Sequence, residues 1–360
     1  MDSAAVRRAV GAVALPRLRR TLDRLGSAVA VEVAGNGEAR VLLDLPEGIV
    51  SPEGLEAAVN AAARAAGAAR ATVEIRSMDS PAQEALAALL KEGLPARPGG
   101  PNSRTRVISI ASGKGGVGKS SVTVNTAVAL ARAGHDVAVL DADVWGFSIP
   151  RMLGVQEPPA VVGGMIVPAS NHGVRVISMD FFVPPDQAVI WRGPMLHKAL
   201  EQFLDEVFWD EPEFLLLDLP PGTGDVPISL SQFVPGALTV VVTTPQPTAQ
   251  RVARRAALMA AKMEQEVAGV VENMSWFTGD DGKRYEIFGA GGGQALADEL
   301  GVPLLGRVPL APAVREGADR GEPAALAAPA SEAAQAFDGI AARLAELRPR
   351  VRRRAELSVD

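Results

Sequence analysis

Residues 113–120 read Gly-Lys-Gly-Gly-Val-Gly-Lys-Ser, and the fold follows from this stretch. Gly113, Gly118, Lys119 and Ser120 meet the spacing of a phosphate-binding loop: a glycine, four free positions, then Gly-Lys-Ser. Ahead of it Val107-Ile108-Ser109-Ile110 is a short β-branched run, and behind it Ser121 to Ala133 places Val124, Ala127, Val128 and Ala131 at helical spacing. A strand feeding a glycine loop that opens a helix is the setting in which such a motif works. Its glycines let the backbone approach phosphate oxygens, and successive N–H groups with the positive helix end form an anion nest. The candidate nucleotide-binding residues are Gly113, Lys114, Gly115, Gly116, Val117, Gly118, Lys119, Ser120 and Ser121. Lys119 is expected at the β and γ phosphates of ATP and the Ser120 hydroxyl on Mg²⁺.

Lys114 is a second lysine inside the loop, close to Lys119. Two ammonium groups there repel unless an anion lies between them, so Lys114 reads either as a solvated loop lysine or as a catalytic charge. In the second reading it reaches nucleotide phosphate across a dimer interface, as an arginine finger does.

Downstream, Val137–Leu140 runs into Asp141-Ala142-Asp143, and Phe214–Leu217 ends in Asp218, followed by Leu-Pro-Pro-Gly-Thr-Gly-Asp225. Continuous apolar runs of this length suit parallel strands buried on both faces, and a carboxylate just past them lies at the ligand-binding edge of an open α/β sheet. Asp218 is the candidate metal residue, holding Mg²⁺ through water. Asp143 is the catalytic candidate that orients the attacking water, and Asp225 couples the Pro-Pro-Gly loop to the γ-phosphate. Each of these aspartates also fits the plainer role of capping a helix or turn.

Through these residues and the segments around them the chain resembles the Mrp-type iron–sulfur cluster carrier ATPases, deviant-Walker-A proteins related to MinD and ParA. The resemblance runs through GKGGVGKSSVTVN, LDADVWGFSIPRMLG, WRGPM (191–195), LLLDLPPGTGDV, VVTTPQ (241–246), GVVENMSWF (269–277), EIFGAGGG (286–293) and LLGRVPL (304–310). It implies a mostly parallel sheet flanked by helices, working as a nucleotide-bridged homodimer. It also implies that Asn273 contacts the adenine base, beside Arg307–Leu310. In this family a Cys-x-x-Cys pair follows the ENMS segment, and two protomers share one [4Fe–4S] cluster delivered to client proteins. Here the corresponding residues are Phe277-Thr-Gly-Asp-Asp-Gly-Lys-Arg-Tyr285, and the chain contains no cysteine. Iron–sulfur clusters are held by thiolates, with histidine as an occasional substitute, and aspartate oxygens match that chemistry poorly. The stretch reads as an Asp-Gly turn between two short strands. His135, His172 and His197 are scattered and form no ligand spacing.

Residues 1–96 read as a separate small α+β domain, with helical spacing at Val6, Ala9, Val10 and Val13. Strand-like runs at 28–33 and 40–43, a helix over 52–67 and a strand at 71–75 follow. The order resembles the iron–sulfur-assembly domain fused ahead of the ATPase in this family. Its usual acidic segment is Ala14-Leu15-Pro16-Arg17 here, and its cysteine loop is Leu45-Pro46-Glu47-Gly48-Ile49. Residues 97–105 are a Pro/Gly linker and 106–347 the ATPase domain. Ser331 is placed to cap a helix ending at Leu347, and 348–360 form a basic tail. Trp145, Trp191, Trp209 and Trp276 lie near strand ends or switch loops.

The net charge of −6 gives no general pull toward nucleic acid or anionic membrane, and no apolar run is long enough to span a bilayer, so a cytoplasmic protein is expected. Two functions stand: a slow, homodimeric ATPase of the cluster-carrier family, or a cluster-free MinD/ParA-like ATPase switch that recruits client or adaptor proteins. A metabolic kinase would need a substrate motif, and none accompanies the loop.

Overall fold

A computed structural model describes residues 3–25, 30–34, 36–95, 97–144, 146–183 and 193–347. Trp145, Trp191 and the basic tail lie outside them. The chain divides into two compact units, and the first is discontinuous: Met1–Leu94 together with Gln156–Ser170 and Gln202–Asp210.

The first unit opens with α1 (Ser3–Gly11) and a two-stranded ribbon of β1 (Ala14–Leu15) and β2 (Arg20–Thr21). β3 (Ala30–Val33), β4 (Glu38–Leu45), α2 (Pro52–Ala65), β5 (Arg70–Ser77) and α3 (Ser80–Lys91) follow. β3 pairs antiparallel with β4, and β4 parallel with β5. Alternation along β4 sends Ala39, Val41, Leu43 and Leu45 into the core, where Val6, Val10, Leu55 and Val59 meet them. α2 starts where Ser51 caps it and Pro52 supplies a preset φ. α3 begins at Asp79, whose side chain accepts from the Ala82 N–H at 2.9 Å.

The second unit carries an eight-stranded sheet. In chain order its elements are β6 (Arg106–Ser112), α4 (Lys119–Arg132), β7 (Val137–Asp141) and α5 (Ile149–Met152). Two short strands of the first unit, β8 (Ala160–Val162) and β9 (Met165–Val167), interrupt the series, and β10 (Ala169–Asn171), which begins within that unit's residues, precedes β11 (Val174–Ser178). There follow α6 (Gly193–Asp205), β12 (Phe214–Asp218), α7 (Asp225–Phe233), β13 (Leu238–Thr243), α8 (Pro247–Lys262), β14 (Glu266–Glu272), β15 (Phe277–Thr278) and β16 (Arg284–Tyr285). The chain closes with α9 (Gly292–Leu300), β17 (Leu304–Arg307), α10 (Pro312–Arg320), α11 (Ala324–Ala327) and α12 (Glu332–Glu346).

Strand order is β10-β11-β7-β12-β6-β13-β14-β17, and every neighbouring pair from β11 to β17 is parallel. β7, β12 and β13 are buried at every position, as their unbroken apolar runs require when helices cover both faces. The order reverses at β6, whose neighbours β12 and β13 both come later in the chain, so its carboxyl end faces a crevice between crossovers running in opposite directions.

Candidate phosphate-binding site at the carboxyl edge of the sheet

β6 delivers Gly113–Gly118 to that crevice, and α4 starts at Lys119. Two loop glycines are fixed by packing. A Cβ on Gly113 would lie 2.1 Å from the carbonyl carbon of Val252 in α8, so the loop and that helix touch backbone to backbone. Gly118 is left-handed, φ 78°, with the Asn273 amide nitrogen 2.2 Å from where a Cβ would stand. At Gly115 and Gly116 a Cβ would meet nothing within 4 Å. Those two border a cavity of about 480 Å³ shared by Lys114, Val117, Lys119, Ser120, Ser121 and Asp143. The loop is thus pinned at 113 and 118 and open between them, the shape a phosphate cradle needs.

Three side chains of α4 converge on one carboxylate. Asp218, fully buried at the end of β12, accepts from Lys119 Nζ and Ser120 Oγ through Oδ2 and from Thr123 Oγ1 through Oδ1, each at 2.6 Å. Asp143 stands 3.6 Å from the same ammonium, and its buried Oδ1 has no hydrogen-bond partner among the described residues. Ser120 Oγ and Asp218 Oδ2 bring two hard oxygens to one point, the donor set Mg²⁺ takes with water and phosphate.

Asp141 does work that the sequence did not assign it. Its carboxylate is fully buried and accepts from Ser178 Oγ at 2.9 Å, from Asp143 N at 3.2 Å, and from Ser148 N and Ile149 N at 3.3 Å. It therefore fixes both ends of the loop that carries Asp143. Burial, and then Asp218 beside it in register, push its pKa up from 3.8 to about 7.

Lys114 Nζ lies 3.3 Å from the side-chain oxygen of Gln246, the residue before α8. Asn273 donates from Nδ2 to Val117 O and accepts from Met274 N through Oδ1, both at 2.9 Å. It ties the end of β14 to the phosphate loop and lines a second cavity of about 360 Å³, walled also by Met274, Pro309, Leu310, Arg151 and Arg315. Glu272, fully buried, anchors this wall by accepting from Ser275 Oγ at 2.8 Å, Arg307 Nε at 3.0 Å and Gly293 N. Asp225 opens α7, its carboxylate against Gly193.

β15 and β16 form a hairpin closed at Asp280-Asp281-Gly282. Asp281 is committed to it, accepting from Lys283 N at 3.0 Å and the Tyr285 hydroxyl at 2.9 Å. Glu332 holds the base, accepting from Thr278 Oγ1 and Arg284 at 2.7 Å and from Trp276 Nε1 at 3.2 Å. Among the described residues no group of histidine, aspartate and glutamate forms a metal site, and the sequence has no cysteine. The three histidines bond separately, His135 to Glu213, His172 to Gly321 O and His197 to Ser229. Nor is any helix among the described residues long and apolar enough to cross a membrane.

A family model described as a ParA-type NUBPL iron-transfer P-loop NTPase matches residues 103–345. Among curated proteins, an iron–sulfur cluster carrier protein of Mycobacterium tuberculosis H37Rv is 43% identical over 350 residues, 94% of this chain and 92% of that one. One from Deinococcus radiodurans is 43% identical over 346 residues, covering 95% and 94% of the two chains. Similar solved structures include a nucleotide-binding protein from Archaeoglobus fulgidus in complex with ADP (34% identity, TM-score 0.54, 61% of this chain and 88% of that one). The cell division ATPase MinD of Pyrococcus furiosus aligns at 25% identity with TM-score 0.52, covering 68% and 99%.

Proposed function

The chain belongs to the NUBPL/Mrp-type iron–sulfur cluster carrier P-loop NTPases of the MinD/ParA superfamily, and on that footing we propose that it binds ATP with Mg²⁺ and hydrolyses it slowly as a homodimer. The observation that carries this reading is the convergence of Lys119, Ser120 and Thr123 on Asp218, with Asp143 3.6 Å from the lysine, below a loop open at Gly115 and Gly116. A triphosphate entering the cradle takes Lys119 as its counter-charge and the loop N–H groups as donors. Ser120 and Asp218 would hold Mg²⁺, which would neutralise phosphate charge. Asp143, with its free Oδ1, is the acceptor that orients a water for in-line attack. Lys114 leaves Gln246 to reach the phosphates of the partner protomer. Asn273 and the Arg307–Leu310 segment border the base. The proposal is tested by titrating the protein calorimetrically with ATP and Mg²⁺ and following phosphate release. Saturable binding, lost in Lys119→Ala, is expected, and a protein indifferent to adenine nucleotides refutes the reading.

The residues present do not fit a thiolate-held cluster. With no cysteine anywhere and Asp281 consumed by its own turn, this chain supplies no thiolate ligand of its own. That favours a second reading within the same family, an ATP-driven switch that engages client or adaptor proteins and carries no cluster. Anaerobic reconstitution with iron and sulfide separates the two: a colourless protein that still turns over ATP supports the switch, and a stable stoichiometric chromophore overturns it.

A further inference from the structure

In the first unit a cavity of about 330 Å³ opens between the turn after β1 and the first turn of α2. Leu15, Pro16, Ile49, Val50, Leu55 and Ala58 make it apolar. One cation is set into that lining. Arg17 is only 9% exposed, and its guanidinium donates to the main-chain oxygens of Gly48, Pro158 (2.9 Å), Val167 and Pro168 (3.3 Å each). These dipoles hold the head group in place without balancing its charge. Its Nε is buried with no hydrogen-bond partner. Among the described residues the nearest carboxylate is that of Glu157, 3.7 Å from Nη1 and outside hydrogen-bond range, on a side chain 53% exposed. Burial pushes the guanidinium's pKa down and Glu157 pushes it back up, and an arginine so shifted remains a cation at neutral pH. The wall formed by Ser51 and Gly54 is the N-terminus of the 14-residue helix α2, whose dipole adds positive potential to the same space.

We propose that this cavity binds a small monocarboxylate with an apolar body, the carboxylate seated on Arg17 at the start of α2 and the body against Pro16, Val50 and Ala58. A carboxylate accepting from the Nη1 N–H that Gly48 leaves over supplies the close counter-charge that Glu157 does not. Glu157 competes for the same position and has to swing outward, which its exposure allows. The volume lies at the lower end of ligand cavities, about 300–1,000 Å³, which points to a short acid and away from a long chain. The inference stands independently of the nucleotide reading, since every residue it uses lies in the first unit.

The test uses the full chain, with 4-phenylbutanoate and its neutral analogue 4-phenylbutanamide as probes, titrated by NMR at pH 7. The acid is expected to bind about tenfold tighter than the amide or better, a difference of about 1.4 kcal/mol. Glu157→Gln removes the competing charge and should tighten the acid by about two- to fivefold while leaving the amide unchanged. Ala58→Leu, at an exposed position of α2 on the rim, should weaken both probes about tenfold by filling the space. Equal affinity for acid and amide overturns the proposal, as does a weaker acid in Glu157→Gln. So does the absence of binding by either probe, including the case in which only a peptide ending in an apolar residue binds. If Ala58→Leu does not fold, the acid–amide and Glu157→Gln comparisons decide alone.

Discussion

Gly113 and Gly115 stand two positions apart in one loop and are glycine for different reasons, which a pair of alanine variants separates. A Cβ at Gly113 would sit 2.1 Å from the Val252 carbonyl carbon and 2.4 Å from the Ala253 nitrogen, where ordinary contact begins at 3.4 Å. Relief requires α8 to retreat by about an ångström or more. That helix buries Ala249, Ala253, Ala256, Ala257 and Ala260, so no long side chain is available to yield in its place. Overpacking costs about 1–3 kcal/mol where side chains can move, and backbone against backbone belongs at the top of that range. About 3 kcal/mol corresponds to a fall in Tm of roughly 6–12 °C for a unit of this size. At Gly115 a Cβ meets nothing within 4 Å and the φ is not left-handed, so Gly115→Ala should move Tm by no more than about 2 °C. Its methyl enters the cradle instead, and affinity for ATP with Mg²⁺ should drop about tenfold or more, 1.4 kcal/mol being one decade. Calorimetric unfolding without nucleotide, followed by nucleotide titration of each variant, reads both quantities. Equal losses of Tm in the two variants, or wild-type affinity in Gly115→Ala, would refute the division.

Lys114→Ala should keep nucleotide affinity and lose about 10³-fold or more in turnover, since its proposed charge acts only on the partner's phosphates; unchanged phosphate release removes that role. Thr123→Val keeps the shape but deletes the 2.6 Å donor to Asp218, and should cost about 1.5–3 kcal/mol, read as a lower urea midpoint at constant slope. Asp141 binds its proton more tightly in the folded protein than its ordinary 3.8. Its contribution to stability is therefore full below that pH and is lost as pH rises through about 7. Asp141→Asn should flatten that part of the stability profile, and profiles that run parallel across the window would contradict the assignment.

The second unit was legible in the sequence wherever local pattern and tertiary demand coincide. Phe214–Leu217 and Val137–Leu140 read as buried parallel strands because nothing polar interrupts them, and both are fully buried. Ser331 read as a cap, and its hydroxyl accepts from Ala334 N. The Asp-Gly turn after Phe277 is a hairpin as its residues dictate. What the sequence did not disclose rests on contacts between distant residues. Ile166 N donates to Glu206 O, and Arg17 reaches Pro168 O, so two later segments complete the first unit without any local signal in either one. Asp141 and Asp143 look equivalent on paper. Only the geometry separates them, one carboxylate saturated by four donors and the other with an unpartnered oxygen. Asp79 ahead of Ser80-Pro81 is a start signal for α3 that is legible without any periodicity.

The hairpin over 277–285 shows how the nucleotide half of this family's design is separable from thiolate chemistry. Where the resemblance places a cysteine pair, this chain has a turn whose polar groups satisfy one another. Arg284 first, then Thr278 and Trp276, lower the Glu332 pKa to about 2, so the clasp stays ionised across the physiological range. Arg284 lies 4.4 Å from the Trp276 ring and Arg307 5.7 Å from it, and Arg307 in turn meets buried Glu272. The next residue, Asn273, grips Val117 O inside the phosphate loop. A single stretch of chain, 272–285, therefore runs from the phosphate cradle to the hairpin, braced at each step by a charged or aromatic partner. Nothing in this linkage requires sulfur. A chain without cysteine thus keeps the contacts that join the phosphate loop to the hairpin, where Tyr285, and just beyond it Ile287, are exposed.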